Sequence, residues 1–72
     1  MPSWKDLRRF VENDGWTFER EGIDSIYTKR LNDGTILRTR VSKGSGEIGK
    51  ALFSRILKQQ LKVSKEYFNS KI

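Results

Sequence analysis

The spacing of apolar residues changes twice along this chain, and this change constrains the fold more than any other feature. Trp4, Leu7, Phe10 and Val11 recur at helical intervals. From residue 16 to residue 42 apolar and polar residues alternate, and after residue 47 the helical spacing returns. Because a helix repeats every ~3.6 residues and a strand every two, the chain is predicted to form a helix, then strands, then a second helix.

The limits of the first helix follow from its capping residues. Ser3 suits the N-cap, and Asp6 stands at the third helical position, where a capping box has its acidic partner. Gly15 can adopt the left-handed conformation that ends a helix. The first helix is therefore predicted at about residues 4–14.

The second helix is predicted at about residues 47–61. Its apolar stripe comprises Ile48, Leu52, Phe53, Ile56, Leu57 and Leu61. Ser64 can cap a short C-terminal helical turn at about residues 64–70. We expect Tyr67 and Phe68 in this turn to fold back on the core.

Three strands are predicted between the helices, at residues 16–21, 24–31 and 35–42. The Asn32-Asp33-Gly34 loop is typical of a hairpin, because its glycine tolerates a positive φ. In the third strand Leu37, Thr39 and Val41 are expected to face the core, with Arg38 and Arg40 on the other face.

These elements predict an α+β fold in two layers with the order α-β-β-β-α. Two helices cover one face of a three-stranded antiparallel sheet, the other face meets solvent, and residues 1–72 form a single domain. The residues predicted for the core are Trp4, Leu7, Val11, Trp16, Phe18, Leu37, Val41, Ile48, Leu52, Ile56 and Leu57.

Composition excludes several classes of protein. The 72 residues include no Cys and no His, which rules out disulfides, thiolate metal sites, thiol nucleophiles and zinc or haem sites of the usual kind. The sequence predicts no metal and no cofactor. It also has no apolar run long enough for a membrane span and no signal-peptide pattern at residue 1, so we expect a cytoplasmic protein with no membrane partner.

Charge is distributed unevenly. Residues 1–23 carry four basic and five acidic residues, a net charge of −1, whereas residues 24–72 carry eleven basic and four acidic residues, a net charge of +7. A local excess of positive charge favours a polyanion as partner, and RNA is the polyanion we predict. The alternative is that the charge serves solubility alone.

The predicted RNA contacts lie mainly between residues 38 and 50. Arg38 and Arg40, with Arg30, are expected on the solvent face of the sheet, where they either bind phosphates or are simply hydrated. Lys29 stands beside Tyr27, whose ring either stacks on an unpaired base or packs within the sheet.

The segment Lys43-Gly44-Ser45-Gly46 is predicted to lead directly into the start of the second helix at about residue 47, with Lys43 and Lys50 nearby. Free N–H groups and nearby lysines at such a place favour a phosphate. The alternative is a flexible connection between strand and helix. On the first interpretation the cations of residues 38–50 form one continuous patch.

Five segments stand in order along most of the chain: Asp14-Gly15-Trp16, Arg20-Glu21-Gly22, the strand at residues 33–42, the helical residues 47–58, and the terminal residues 64–68. Together they resemble the small HicA toxins of bacterial toxin–antitoxin pairs, which have a double-stranded-RNA-binding-domain fold. The resemblance implies an mRNA interferase, an endoribonuclease inhibited by a HicB-like antitoxin.

The family's catalytic histidine stands early in the second strand, where this chain has Asp24 or Ser25. The resemblance therefore implies the RNA surface but not the usual chemistry. Asp24 could act with Lys29 or Tyr27 as an acid–base pair, or with Glu21 to hold Mg²⁺; otherwise it is a turn residue. Two alternatives to a toxin remain, a non-catalytic RNA-binding module and a domain that binds an acidic, antitoxin-like protein.

Overall fold

The computed structural model describes residues 2–44 and 46–72, and the elements follow the predicted order. Helix α1 spans Trp4–Asn13, and strands β1, β2 and β3 span Thr17–Glu21, Asp24–Arg30 and Ile36–Ser42. Helix α2 spans Lys50–Arg55 and continues into a π-helix at Ile56–Leu61, and helix α3 spans Lys65–Ser70. The α+β class and the α-β-β-β-α order are confirmed.

Helix α1 begins at the predicted cap. The Ser3 hydroxyl accepts a hydrogen bond from the Asp6 N–H at 3.2 Å, and the Asp6 carboxylate accepts one from the Ser3 N–H at 3.1 Å. This reciprocal capping box satisfies two backbone donors that the helix itself leaves free. At the other end Asp14 is the C-cap, and Gly15 reverses the chain with φ +80°.

The strands form an antiparallel meander with β2 in the centre. The predicted hairpin between β2 and β3 is confirmed: the Leu31 N–H donates to the Thr35 carbonyl at 2.8 Å, and Gly34 has φ +91°. Pairing of β1 with β2 is interrupted by a bulge between Phe18 and Arg20. Both β1 and β3 are edge strands.

The pairing register assigns side chains to the two faces of the sheet. Ser25 lies opposite Val41 and Tyr27 lies opposite Thr39, so these four side chains share one face. All four are buried, which identifies this face as the one that packs in the core. The residues between them face the other way and include the exposed Arg38 and Arg40, as predicted.

Helix α3 returns to the core as expected. Phe68 is fully buried, stacks on Phe10 with ring centroids 5.0 Å apart, and meets Phe53 edge-on at the same distance. The neighbouring Tyr67 is partly exposed and contacts Phe10 by its edge. The buried hydrophobic core comprises Leu7, Phe10, Val11, Trp16, Tyr27, Leu37, Val41, Ile48, Phe53, Ile56, Leu57, Leu61 and Phe68.

Two residues predicted for the core are largely exposed. Phe18 is 50% exposed because it lies on the edge strand β1, where its ring touches Tyr27 at 5.5 Å. Leu52 is 40% exposed because α2 turns Phe53 inward, and the π-helix that follows buries Ile56.

The second helix begins at residue 50, three residues later than predicted. Residues 47–48 instead pair with the segment before α1: Ser3 and Glu47 form an antiparallel bridge, and the Ile48 N–H donates to the Pro2 carbonyl at 2.9 Å. Ile48 is therefore buried from an extended segment.

Among the described residues, every helix falls short of the length and apolarity that a bilayer crossing requires. The longest α-helix in that part of the chain, α1, has 10 residues, against the ~20 that span a membrane.

Candidate nucleic-acid interface

The two residues considered for the catalytic position lie on opposite faces of the sheet. Asp24 begins β2 and faces away from the core, with its carboxylate 3.9 Å from the Arg40 guanidinium. Ser25 is fully buried, and its hydroxyl donates to Glu21 at 3.4 Å. Because a substrate in solution cannot reach Ser25, this residue is removed as a catalytic candidate and Asp24 is retained.

The partners considered for Asp24 are not beside it. Tyr27 and Lys29 occupy inward-facing positions of β2, and Glu21 lies opposite Ser25 on the same inward face. Their side chains therefore leave the sheet on the side opposite to Asp24. Within residues 2–44 and 46–72, no three His, Cys, Asp or Glu side chains gather as a metal site would require.

The outward-facing arginines occupy one surface, as predicted, but two of them have acidic neighbours. Arg30, Arg38 and Arg40 are all exposed. Arg38 lies 3.5 Å from Glu19, and Arg40 lies 3.9 Å from Asp24. Exposed ion pairs of this kind contribute only about 0–1 kcal/mol each. The pairs lower the local positive charge without holding the arginines firmly.

The glycine-rich segment does not lead directly into a helix. The Gly44 N–H donates to the Ser42 hydroxyl at 3.2 Å, and the Gly46 carbonyl accepts a hydrogen bond from the Trp4 N–H at 3.2 Å. Ser45 lies outside the described residues. The prediction that this segment opens the second helix is therefore wrong, because α2 begins at Lys50.

Lys43 and Lys50 line different clefts, so the structure does not bring these two predicted contacts together. Lys43 lies 3.9 Å from Glu21 and lines a cleft along α1. Lys50 is the first residue of α2 and, with Lys58 and Lys65, lines a separate cleft of about 360 Å³.

Lys29 is partly buried and is held against the C-terminal end of α1. Its ammonium donates to the Asp14 carboxylate at 2.8 Å and to the Asp14 carbonyl at 3.2 Å. The Trp16 indole donates to the same carboxylate at 3.0 Å, and the Tyr67 hydroxyl donates to it as well. These contacts connect α1, β2 and α3, and they explain why Lys29 is not an outward-facing cation.

The same contacts shift two pKa values. Burial is the largest single influence on the pKa of Asp14, and it raises that pKa. The three hydrogen bonds and the charge of Lys29 lower the pKa, and their combined effect is larger than that of burial, so the pKa of Asp14 is lowered overall. The hydrogen bond to the Asp14 carboxylate raises the pKa of Tyr67.

A basic cleft along α1 was missed by the sequence analysis. It has a volume of about 410 Å³, and its lining includes Lys5, Arg8 and Arg9 of α1 together with Lys43. Among the described residues, no carboxylate lies within 4 Å of the three α1 cations. Residues 1–23 have a net negative charge, which concealed this local cluster. The spacing i, i+3, i+4 was the available signal, because it places three residues on one helix face.

A second cleft, of about 320 Å³, contains Asp24. Residues from five elements line it: Trp4 of α1, Asp24 of β2, Arg40 and Ser42 of β3, Leu52 of α2, and Ile56 and Gln60 of the π-helix. Both volumes are within the range of about 300–1,000 Å³ that is usual for ligand sites. Trp4 and Gln60 had no predicted role in binding.

Comparison with protein-family models, with curated proteins and with solved structures finds no match to this chain. The resemblance to HicA toxins therefore stays a prediction from the sequence.

Proposed function

We propose that this chain is an RNA-binding domain of the HicA-like kind, and that the cleft along α1 is its principal RNA contact. The observation that carries the proposal is the grouping of Lys5, Arg8 and Arg9 on one face of α1, beside Lys43. Glu12 is the one acidic residue among the described residues lining that cleft. Several adjoining cations favour a polymer with regularly spaced charges over a small anion.

The outward-facing arginines form a second basic surface, on the solvent face of the sheet. Arg30, Arg38 and Arg40 are exposed, and the ion pairs of the last two are long and accessible to solvent. A phosphate can replace a carboxylate at such an arginine at little cost, because the exposed pair contributes little stability. We therefore assign these arginines to secondary phosphate contacts.

Cleavage of the bound RNA is a second candidate function, supported by the presence of Asp24 and Arg40 in one cleft. Cleavage through the 2′-hydroxyl needs one group that accepts a proton and another that supplies a proton to the leaving oxygen. A carboxylate such as Asp24 can accept a proton, whereas a guanidinium such as Arg40 has no acceptor and can only stabilise negative charge on the phosphate. We accordingly propose that any mRNA-interferase activity is reduced, with Asp24 as its base.

RNA binding is tested by the anisotropy of a labelled RNA titrated with the protein between about 50 and 200 mM salt, a range over which phosphate contacts weaken strongly. The double variant R8A/R9A should weaken binding and reduce the log–log salt slope by roughly 1–2, since each lost phosphate contact reduces it by ~0.7–0.9. The matched control is K58A/K65A, which removes the same charge from the separate lysine cleft.

Equal weakening by the two double variants would show that net charge alone attracts RNA, and would contradict the proposed site. A salt-independent affinity would contradict phosphate binding altogether. If RNA does not bind but an acidic, HicB-like protein does and R8A/R9A weakens that complex, the chain is a protein-interaction domain.

Cleavage is tested separately by incubating the protein with structured and unstructured RNA, with and without EDTA. Asp24→Ala should abolish the cleavage that the wild-type protein shows, and circular dichroism would verify that the variant is folded. Unchanged cleavage by the folded variant would exclude Asp24 as the base.

A further inference from the structure

The cleft along α1 and the cleft at Asp24 are adjacent. Trp4 and Ser42 line both of them, so these two side chains form the boundary at which one cleft ends and the other begins. The first cleft is basic, and the second combines polar and apolar groups. A chain molecule that occupies the first cleft can therefore extend past Trp4 into the second.

Trp4 is available for contact at this boundary. It is half-buried, with part of its surface packed against the core. The backbone N–H of Trp4 donates a hydrogen bond to the Gly46 carbonyl. Its indole N–H has no acceptor among the described residues. No described polar side-chain atom is both buried and without a hydrogen-bond partner. The indole N–H therefore either meets solvent or bonds outside the described residues. A fixed aromatic ring beside cations is the usual platform on which an unpaired base stacks.

The second cleft has polar groups with unused hydrogen-bonding capacity. The Asp24 carboxylate lies 3.9 Å from Arg40, beyond hydrogen-bond length, and no described residue donates to it. The Gln60 carbonyl oxygen accepts a bond from the buried Thr39 hydroxyl at 2.7 Å, which fixes the amide, while its NH₂ group donates to no described residue. The cleft is thus lined by the Asp24 carboxylate, which comes from the outward face of the sheet, and by the Gln60 amide NH₂, which comes from the π-helix.

We propose that the two clefts form one path for single-stranded RNA, and that the second cleft selects an unpaired guanine. This inference rests on the proposed RNA binding and specifies its substrate. Phosphates lie along Lys5, Arg8 and Arg9, and the guanine stacks on Trp4. The Watson–Crick edge of guanine has two hydrogen-bond donors, which bond to the Asp24 carboxylate. The same edge has one acceptor, O6, which accepts a hydrogen bond from the Gln60 amide NH₂. A base within a duplex cannot present that edge, because the edge is already paired.

The experiment measures the affinity of the full chain for four probes: a single-stranded oligouridine, the same strand with one central guanosine, the same strand with one central adenosine, and an RNA duplex of equal length. Binding is followed by anisotropy, and in parallel by tryptophan fluorescence. We expect the guanosine strand to bind most tightly and to quench Trp4.

The variants separate the steps of the inference. Trp4→Leu should weaken binding of the guanosine strand by roughly 5- to 150-fold, because base–aromatic stacking contributes about 1–3 kcal/mol. Trp4→Phe retains an aromatic ring and should stay within about threefold of wild type. Asp24→Asn should reduce the preference for guanosine over adenosine, since the amide replaces one acceptor with a donor. Urea unfolding of each variant checks that it is folded.

Duplex binding equal to or tighter than single-strand binding, with no effect of Trp4→Leu, would overturn this inference and leave the proposed RNA binding intact. Failure of all four probes to bind would refute the proposed function and the inference together. Equal affinity for guanosine and adenosine, or an unchanged preference in Asp24→Asn, would refute guanine selection.

Discussion

The contacts of Asp14 join α1 to β2 and α3, and the substitution Asp14→Asn tests how much they stabilise the fold. The Asp14 side chain is only 4% exposed and accepts hydrogen bonds from the Lys29 ammonium at 2.8 Å and the Trp16 indole at 3.0 Å. Asparagine keeps one acceptor oxygen but removes the negative charge that Lys29 faces. A hydrogen bond to a charged group contributes about 1.5–3 kcal/mol.

Lys29 can recover part of its hydration, because its side chain is 29% exposed. We therefore expect Asp14→Asn to lower the free energy of unfolding at pH 7 by about 2 kcal/mol, within the range for a lost charge-assisted bond. For a domain of this size the corresponding fall in Tm is roughly 8–16 °C.

The effect should depend on pH with a defined sign. The pKa of Asp14 is lower in the folded chain than its usual value, which is about 3.9 in an unfolded chain. A carboxylate of this kind stabilises the fold fully above its unfolded pKa, and this contribution is lost as the pH falls through the folded pKa. The stability difference between wild type and Asp14→Asn should therefore shrink below about pH 4.

Urea unfolding followed by tryptophan fluorescence, at pH 7 and at several lower values, measures both effects. The control is Glu12→Gln, which neutralises an exposed carboxylate of α1 and should change stability by less than about 0.5 kcal/mol. If Asp14→Asn is as stable as this control at pH 7, or retains the wild-type acid dependence, the proposed stabilisation by the Asp14 contacts is wrong.

Three further substitutions, the last with a matched control, test single features of the fold by thermal or urea unfolding. Thr39→Val leaves the Gln60 side-chain oxygen without its hydrogen-bond donor and should lower the free energy of unfolding by about 1–2 kcal/mol. If the variant is as stable as the wild-type protein, water replaces the lost hydroxyl. Lys62 has φ +56°, so Lys62→Gly should stabilise the chain by about 0.5–1 kcal/mol, and a loss of stability would contradict backbone strain there. Gly34 has φ +91°, so Gly34→Ala should lower the free energy of unfolding by about 1 kcal/mol. The control Gly22→Ala, at a position with open space and no positive φ, should leave stability nearly unchanged. Equal losses of stability would show that the positive φ of Gly34 is not the cause.

The sequence by itself determined the features that depend on neighbouring residues. The Ser3–Asp6 capping box, the turn at Gly34 and the alternation of Leu37 with Arg38 were predictable, because each involves residues within a few positions. Helix and strand periods also fixed the order of the elements. Local geometry is sufficient for these features, since their hydrogen bonds close within one turn or one strand.

The tertiary structure alone decided which residues share a surface. Lys29 faces inward because Asp14, fifteen positions earlier, supplies its counter-charge. The second helix starts late because residues 47–48 pair with residues 2–3. Trp4 and Gln60 meet in one cleft only when α1 and the π-helix pack on the same sheet. Such contacts depend on how the whole set of apolar residues is buried at once, and no local pattern contains that information.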